Sequence, residues 1–351
     1  MRTQVVAAIS DRRRRSETAA TGRAVDLLRE GEIVALPTET VYGLAADALN
    51  AIGVAKIFEA KDRPRFDPLI VHLPDREWLE KVAGVSAKDR QLVSKLAEKF
   101  WPGPFTMVLP KCDIVPDIVT AGLNTVAVRV SAHPVFAEIV QAFGKPVAAP
   151  SANRFGRISP TTAQHVLDEL GGRIPLIIDD GPTTHGIEST IIAIGEGKID
   201  ILRRGPITVE ELSPFAKIDI VTAATEISAP GQLPSHYAPK TPLKLIDNVE
   251  QFSPKTDQRS ALLAWNQVDN AEHFVAVRNF SKRKDLREAA ANLFRYLREL
   301  DALDVDLIVA ERVPAQGLGA AASAKSMPTK LGIWLINLPR CRCRACPGNL
   351  A

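Results

Sequence analysis

Short apolar runs bounded by proline or glycine recur along this chain, with 3.6-residue apolar stripes in the gaps between them. That alternation predicts an α/β protein. A first helix is expected over 18–30, with Ala24, Leu27 and Leu28 apolar and Gly31 as its stop. The run 33–36 meets Pro37, as a buried strand ending in a turn would. A helical stripe of Ala51, Val54, Ile57 and Phe58 follows, ending at Lys61 and Arg63, and Pro64 prevents its continuation. A strand is then expected over 69–72. Ser86 begins a capping box with Asp89, ahead of a stripe formed by Leu92, Val93, Leu96 and Phe100.

The Trp101-Pro102-Gly103-Pro104 break precedes a strand over 105–109. Residues 125–130 alternate as a strand does, residues 133–143 are helical, and a short strand over 147–149 stops at Pro150. Ser159 and Pro160 are placed as N-cap and first residue of a further helix. A strand over 176–178 and a hairpin of 189–194 with 199–202 make the sheet mixed. The periodicity fades over 207–240, where five prolines and glycines punctuate a linker carrying Ser235-His236-Tyr237-Ala238-Pro239. Beyond it, strands over 243–246, 261–264, 274–277 and 307–310 accompany a helix marked by Leu286, Ala290, Leu293, Leu297 and Leu300. This predicts a smaller parallel α/β domain.

Length and composition narrow the function. The 351 residues suggest two domains, and 46% hydrophobic with 24% charged residues is ordinary for a protein with a substantial core. A net charge of +3 gives no global cationic field of the kind nucleic-acid coats carry. No apolar run reaches membrane-spanning length. Arg12 to Arg15 are flanked by Asp11 and Glu17, as in a solvated end. Cys112, with Cys341, Cys343 and Cys346 crowded near the end, is no disulfide framework, and a cytoplasmic location is expected.

The chemistry points to an anion. Lys61 and Arg63 sit two apart at a helix end fixed by Pro64 and Pro68, near the strand that carries His72. Rigid cations of these two kinds suit phosphate. The Pro150-Ser151-Ala152-Asn153 turn has the residues of an anion-binding nest and equally those of an ordinary turn. Arg129, near the end of an apolar strand, requires a carboxylate or phosphate partner. No phosphate-binding glycine loop, dinucleotide fingerprint or nucleophile elbow stands where such a fold would need it, and no metal-ligand spacing is present.

The strings PTETVYGL, KDRP with DPLIVH, PGPFT, VAVRV with HP behind it, PSAN and STII resemble, in this order, the YrdC-type threonylcarbamoyl-AMP synthases. The resemblance covers 18–206. The linker over 207–240 and the second domain over 241–322 resemble the longer, two-domain form. It implies an open twisted mixed sheet plus a Rossmann-like parallel domain, and a nucleotidyltransferase that makes L-threonylcarbamoyl-AMP and pyrophosphate from L-threonine, bicarbonate and ATP. It implies Mg2+ with the ATP, and a downstream transferase that passes the group to adenosine 37 of tRNA. Carried over, it places threonine on Thr40, His72, Arg129, Ala149 and Ser189. ATP falls to Arg63, Asp67, Thr125, Ser151, Asn153, Ser159 and Arg203, with Tyr237 reaching over from the linker. Lys61 and Arg63 are the implied catalytic cations.

Two departures stand out. Asp67 takes a place where the family often has asparagine, adding a negative charge. The tail over 323–351, with Pro328 and the crowded cysteines, is unlike the family and is read as the product of a shifted reading frame. Two rival readings are carbamoyl transfer on the same scaffold and a non-catalytic RNA-binding module. Modest charge and little aromatic interleaving predict at most weak RNA binding.

Overall fold

The computed structural model describes residues 2–7, 14–64, 66–221, 238–255, 257–268 and 271–325, with the side chains of 14–18 and 323–325 outside that description. Tyr237, Cys341, Cys343, Cys346 and most of the atypical tail lie outside the described residues.

In chain order, β1 (Gln4–Ala7) is followed by α1 (Arg14–Arg29), β2 (Val34–Leu36) and β3 (Gly43–Asp47). The sequence reading has neither β1 nor the third of these strands. Its residues, Gly-Leu-Ala-Ala-Asp, are buried on both faces and show no alternation. Then come α2 (Ala51–Lys61), β4 (Ile70–His72), the short α3 (Leu79–Val82) and α4 (Arg90–Phe100). The Asn50 side chain accepts from the backbone N–H groups of Ile52 and Gly53, starting α2, and Asp62 closes it in a left-handed conformation. Only part of the expected box at α4 forms, because the Asp89 carboxylate accepts from the Ser86 hydroxyl instead of reaching back to its N–H.

The chain continues through β5 (Phe105–Pro110), α5 (Asp117–Thr120), β6 (Thr125–Arg129), α6 (Pro134–Phe143) and β7 (Val147–Ala148). Next are α7 (Ala163–Leu170), β8 (Leu176–Asp179), and the hairpin of β9 (Thr190–Gly195) with β10 (Lys198–Arg203). Ser159 is not a helix cap. Thr162 caps α7, accepting from the His165 N–H at 3.3 Å, and the Ser159 hydroxyl donates to Glu188. The stretch expected to be featureless linker carries α8 (Val209–Leu212) and β11 (Lys217–Ile220), which pairs in parallel with β10.

These strands form one eleven-stranded mixed sheet in the order β1-β8-β2-β3-β7-β4-β6-β5-β9-β10-β11. Side-chain alternation gives it two packed faces. Val34 and Leu36 of β2 pack with α1 and α6, while Ala35 between them faces the core built with α2, α4 and α7.

The second unit contains β12 (Leu243–Ile246), β13 (Ser260–Ala264), β14 (Ala276–Asn279), α9 (Leu286–Asp301), β15 (Leu307–Glu311) and α10 (Leu318–Lys325). Its four strands are all parallel in the order β12-β15-β13-β14, as a Rossmann-like unit requires. The third strand begins two residues later than its apolar run suggested.

Candidate active site

The ends of β2, β4, β6 and β9 surround a small, partly open cleft. Its lining includes Thr40, Arg63, His72, Arg129, Ala149, Ser151, Ser189 and Arg203, all singled out from sequence. It also includes Thr38, from the same turn as Thr40, and Ile70 and Glu188, which were not singled out.

Register explains the first wall. β4 and β6 pair in parallel with His72 opposite Arg129, so a ring and a guanidinium emerge side by side. His72 packs against Phe136 with ring centroids 4.9 Å apart, and its Nδ1 has no hydrogen-bond partner. Burial and the adjacent Arg129 charge push its pKa down to about 3, so the imidazole is neutral at physiological pH. The turn after β2 is tied by Thr38, whose hydroxyl oxygen accepts from the N–H groups of Thr40 and Val41. That turn aims Glu39 at Arg129 Nη2, 2.6 Å away, while Nη1 donates to Thr40 Oγ1 at 3.1 Å and Nε to the Gly103 carbonyl. Burial alone would raise the Glu39 pKa, but Arg129 and the Ser131 hydroxyl outweigh it and bring it down to about 2.

The opposite wall follows the same scheme. Arg63 pairs with the fully buried Asp67 at 2.8 Å and donates to the Pro68 carbonyl at 2.9 Å. Arg203 pairs with Glu188 at 3.2 Å and donates to the Ser189 hydroxyl at 3.0 Å. Ser189 Oγ in turn lies 2.9 Å from Thr106 Oγ1, a contact set by the parallel pairing of β5 with β9. Each arginine of the cleft is therefore held by its own carboxylate, which fixes the guanidinium and offsets part of its charge. Asp67 is a partner of Arg63 rather than a member of the lining.

Three further residues stand apart from the expected arrangement. Lys61 is buried, and its ammonium donates to the backbone carbonyls of Ser151 and Asn153, clasping the Pro-Ser-Ala-Asn turn from behind. Burial and the Arg63 charge push its pKa down to about 7. Asn153 is also behind the lining, its amide nitrogen donating to the Arg154 and Arg157 carbonyls while its oxygen has no partner. Thr125 is not brought to the cleft. It starts β6, four residues and ~13 Å along the strand from Arg129.

Sequence reasoning missed Glu39 and Glu188. A carboxylate appears unfavourable in an anion site until its arginine is in view. The available signal was the requirement that buried Arg129 find a partner, with Glu39 in a quoted motif.

A mixed sheet whose strand ends present fixed arginines, hydroxyls and a neutral imidazole to one cleft defines an anion-binding α/β enzyme fold. Residues 26–205 match the profile of the Sua5/YciO/YrdC family, described as telomere recombination, and 207–323 match the threonylcarbamoyl-AMP synthase C-terminal domain. The chain belongs to this family, in its two-domain form. It is 39% identical to the threonylcarbamoyl-AMP synthase of Pyrococcus abyssi, over 85% of this chain and 90% of that protein. Identity to the Bacillus subtilis protein of the same name is also 39%, over 87% and 91%. The structure of Pyrococcus abyssi Sua5 complexed with L-threonine superposes with a TM-score of 0.80 at 35% identity, covering 92% of this chain and 98% of that one. Escherichia coli YciO, at 20% identity and a TM-score of 0.52, shares the fold over 61% of the chain.

Proposed function

We infer that the chain is an L-threonylcarbamoyladenylate synthase. It joins L-threonine, bicarbonate and ATP into L-threonylcarbamoyl-AMP and pyrophosphate, for transfer of the threonylcarbamoyl group to tRNA adenosine 37 by a separate transferase. The reading rests on one observation: Arg63, Arg129 and Arg203 face a single cleft, so two anionic reactants can be held together there.

Thr40, His72, Arg129, the Ala149 backbone and Ser189 form the threonine side. Arg129 takes the carboxylate, and the neutral His72 offers a ring nitrogen without bringing a charge near the amine. Arg63, Ser151 and Arg203 form the nucleotide side, supported from behind by Asp67, Asn153 and Ser159, with Tyr237 of the linker assigned to close over it. In the reaction the threonine amine adds to bicarbonate, with loss of water, to give a carbamate. A carbamate oxygen then forms a bond to the α-phosphorus as the bond to pyrophosphate breaks. Both partners are negative, so positioned cations and N–H donors supply most of the barrier lowering. Arg63 stabilises charge developing on the phosphates. Lys61 contributes by fixing the turn that carries Ser151 and by its charge behind the site.

Among the described residues no group of three or more histidine, cysteine, aspartate or glutamate side chains is placed to hold a metal. The three carboxylates at the cleft are engaged by arginines. Mg2+ is assigned to the substrate, entering as its ATP chelate. No described helix is long and apolar enough to cross a membrane, and the cytoplasm is the proposed location.

The test is pyrophosphate release and adenylate formation with threonine and bicarbonate omitted in turn. Release that requires both, with a threonine-containing adenylate, is expected. Salt-sensitive tRNA binding without ATP consumption would establish the RNA-binding reading instead, and a carbamoyl adenylate formed with pyrophosphate release when carbamate replaces threonine and bicarbonate would establish carbamoyl transfer.

A further inference from the structure

Among the described residues no side chain of the second unit enters the cleft, yet the cleft's walls are fastened to that unit. Val41 lines the cleft, Ile158 immediately precedes Ser159, and Ile187 immediately precedes Glu188. All three are buried in the cluster formed by Ala290, Leu293, Phe294 and Leu297 of α9. The approach is close. Gly186 has a φ of +64°, and a Cβ there would stand 2.3 Å from the Ala291 carbonyl oxygen.

A polar connection runs beside the apolar one. Arg298 follows Leu297 on α9, and its side chain is 13% exposed. It pairs with Glu169 of α7 at 3.1 Å and donates to the Ile158 carbonyl and, at 3.5 Å, to that of Ser159. The Ser159 hydroxyl donates to Glu188 Oε1 at 2.8 Å, and Glu188 Oε2 accepts from Arg203 at 3.2 Å. Only the last two side chains of this series reach the cleft or its edge. An arginine fork that engages two successive carbonyls fixes where that backbone lies, which a lysine point charge does less well. If Arg298 served solely to join the two units, its partners would have no need to lie directly behind a substrate wall.

We propose that Arg298 is a positioning residue for the nucleotide, setting the 158–159 backbone and, through Ser159 and Glu188, the orientation of Arg203 in the cleft. This rests on the reading of the cleft as an ATP site, and gives the second unit a part in building it.

Arg298→Ala and Arg298→Lys in the full chain test this, with thermal melts to establish folding. Two readouts are used: adenylate formation with ATP and threonine varied separately, and equilibrium titration with ATP alone. Arg298→Ala is expected to raise the KM and dissociation constant for ATP about tenfold, the scale of a slightly misplaced positioning group, with the KM for threonine within about twofold. Arg298→Lys, which keeps the charge and a shorter reach to the carbonyls, is expected to recover most of this. Should the alanine variant fail to fold, the lysine variant decides, with an expected rise of about threefold in the ATP constants. Unchanged ATP constants overturn the proposal, as does a loss that only follows the folded fraction. Absence of adenylate in the wild type overturns the reading of the reaction, while the ATP titrations still decide the role of Arg298. A wild type that does not bind ATP overturns both.

Discussion

The two units bury their polar groups for opposite ends. In the large sheet, Arg63, His72, Arg129 and Ser189 are almost inaccessible to bulk solvent, yet they line a cleft. In the small sheet, Glu311 stands at the carboxyl end of β15, where an open parallel sheet usually binds its ligand. Its carboxylate accepts from the backbone N–H groups of Val249, Trp265 and Asn266 instead. Those N–H groups are the kind that would hold an anion, and the protein's own side chain occupies them. A Rossmann-like topology therefore supplies a place for a ligand without requiring that one bind. The large sheet keeps its arginines available by pairing each with a carboxylate along one edge, whereas the small sheet satisfies its own strand ends and becomes a scaffold.

The comparison breaks first at the cations. Arg63→Ala and Lys61→Ala are each expected to cut turnover at least about a hundredfold, the first by losing a charge-stabilising donor at the cleft and the second by releasing the turn that carries Ser151. Near-normal pyrophosphate release in both would remove the two residues from the mechanism. Lys61→Ala should also lower stability, because two buried carbonyls lose their donor, whereas a catalytic loss with an unchanged melt would contradict the clasp drawn for it.

Glu311→Ala sharpens the other side. Three N–H groups near a residue only 2% exposed lose their acceptor, and about 3 kcal/mol of stability should go with it. Denaturant unfolding measures that loss. Turnover per folded molecule should change little, and a specific rise in the KM for ATP with no loss of stability would show that the small sheet's strand ends take part in binding.

A further effect is a dependence on pH. His72 has its folded pKa lowered from 6.5 to about 3, so the unfolded chain binds more protons between those values. Stability linked to His72 is then complete above pH 6.5 and falls as the pH drops toward 3. Melts of His72→Asn should accordingly depend less steeply on pH across that window than melts of the wild type. Above pH 6.5 the ring is already neutral, so the threonine affinity of the wild type should show no titration from this residue. A threonine KM that titrates near pH 6.5 in the wild type and not in His72→Asn would show the ring charging in the site.

Local chemistry made much of this legible in advance. Gly31, Pro64 and the break between 194 and 199 mark element ends wherever the chain folds, because capping and allowed dihedrals depend on a few neighbouring residues. Alternation and helical stripes located β2, β5, β6, α4 and α9 for the same reason. The strand β3 escaped because a sequence buried on both faces loses its periodicity. Ser159 resembled a cap because serine before proline has that local preference, while its actual partner is 29 residues away.

By itself, then, the sequence determined most of the elements, the mixed and parallel character of the sheets they build, and which side chains could carry anion chemistry. Tertiary structure decided which of them share a cleft. Glu39 meets Arg129 across 90 residues, and Lys61 reaches Asn153 across 92, because the order of strands in the sheet and the packing of α2 bring their backbones together. It likewise separated Thr125 from Arg129, since residues at opposite ends of one strand remain a strand's length apart. Charge, burial and orientation depend on distance in space, and neighbourhood along the chain constrains that distance only within a turn or a strand.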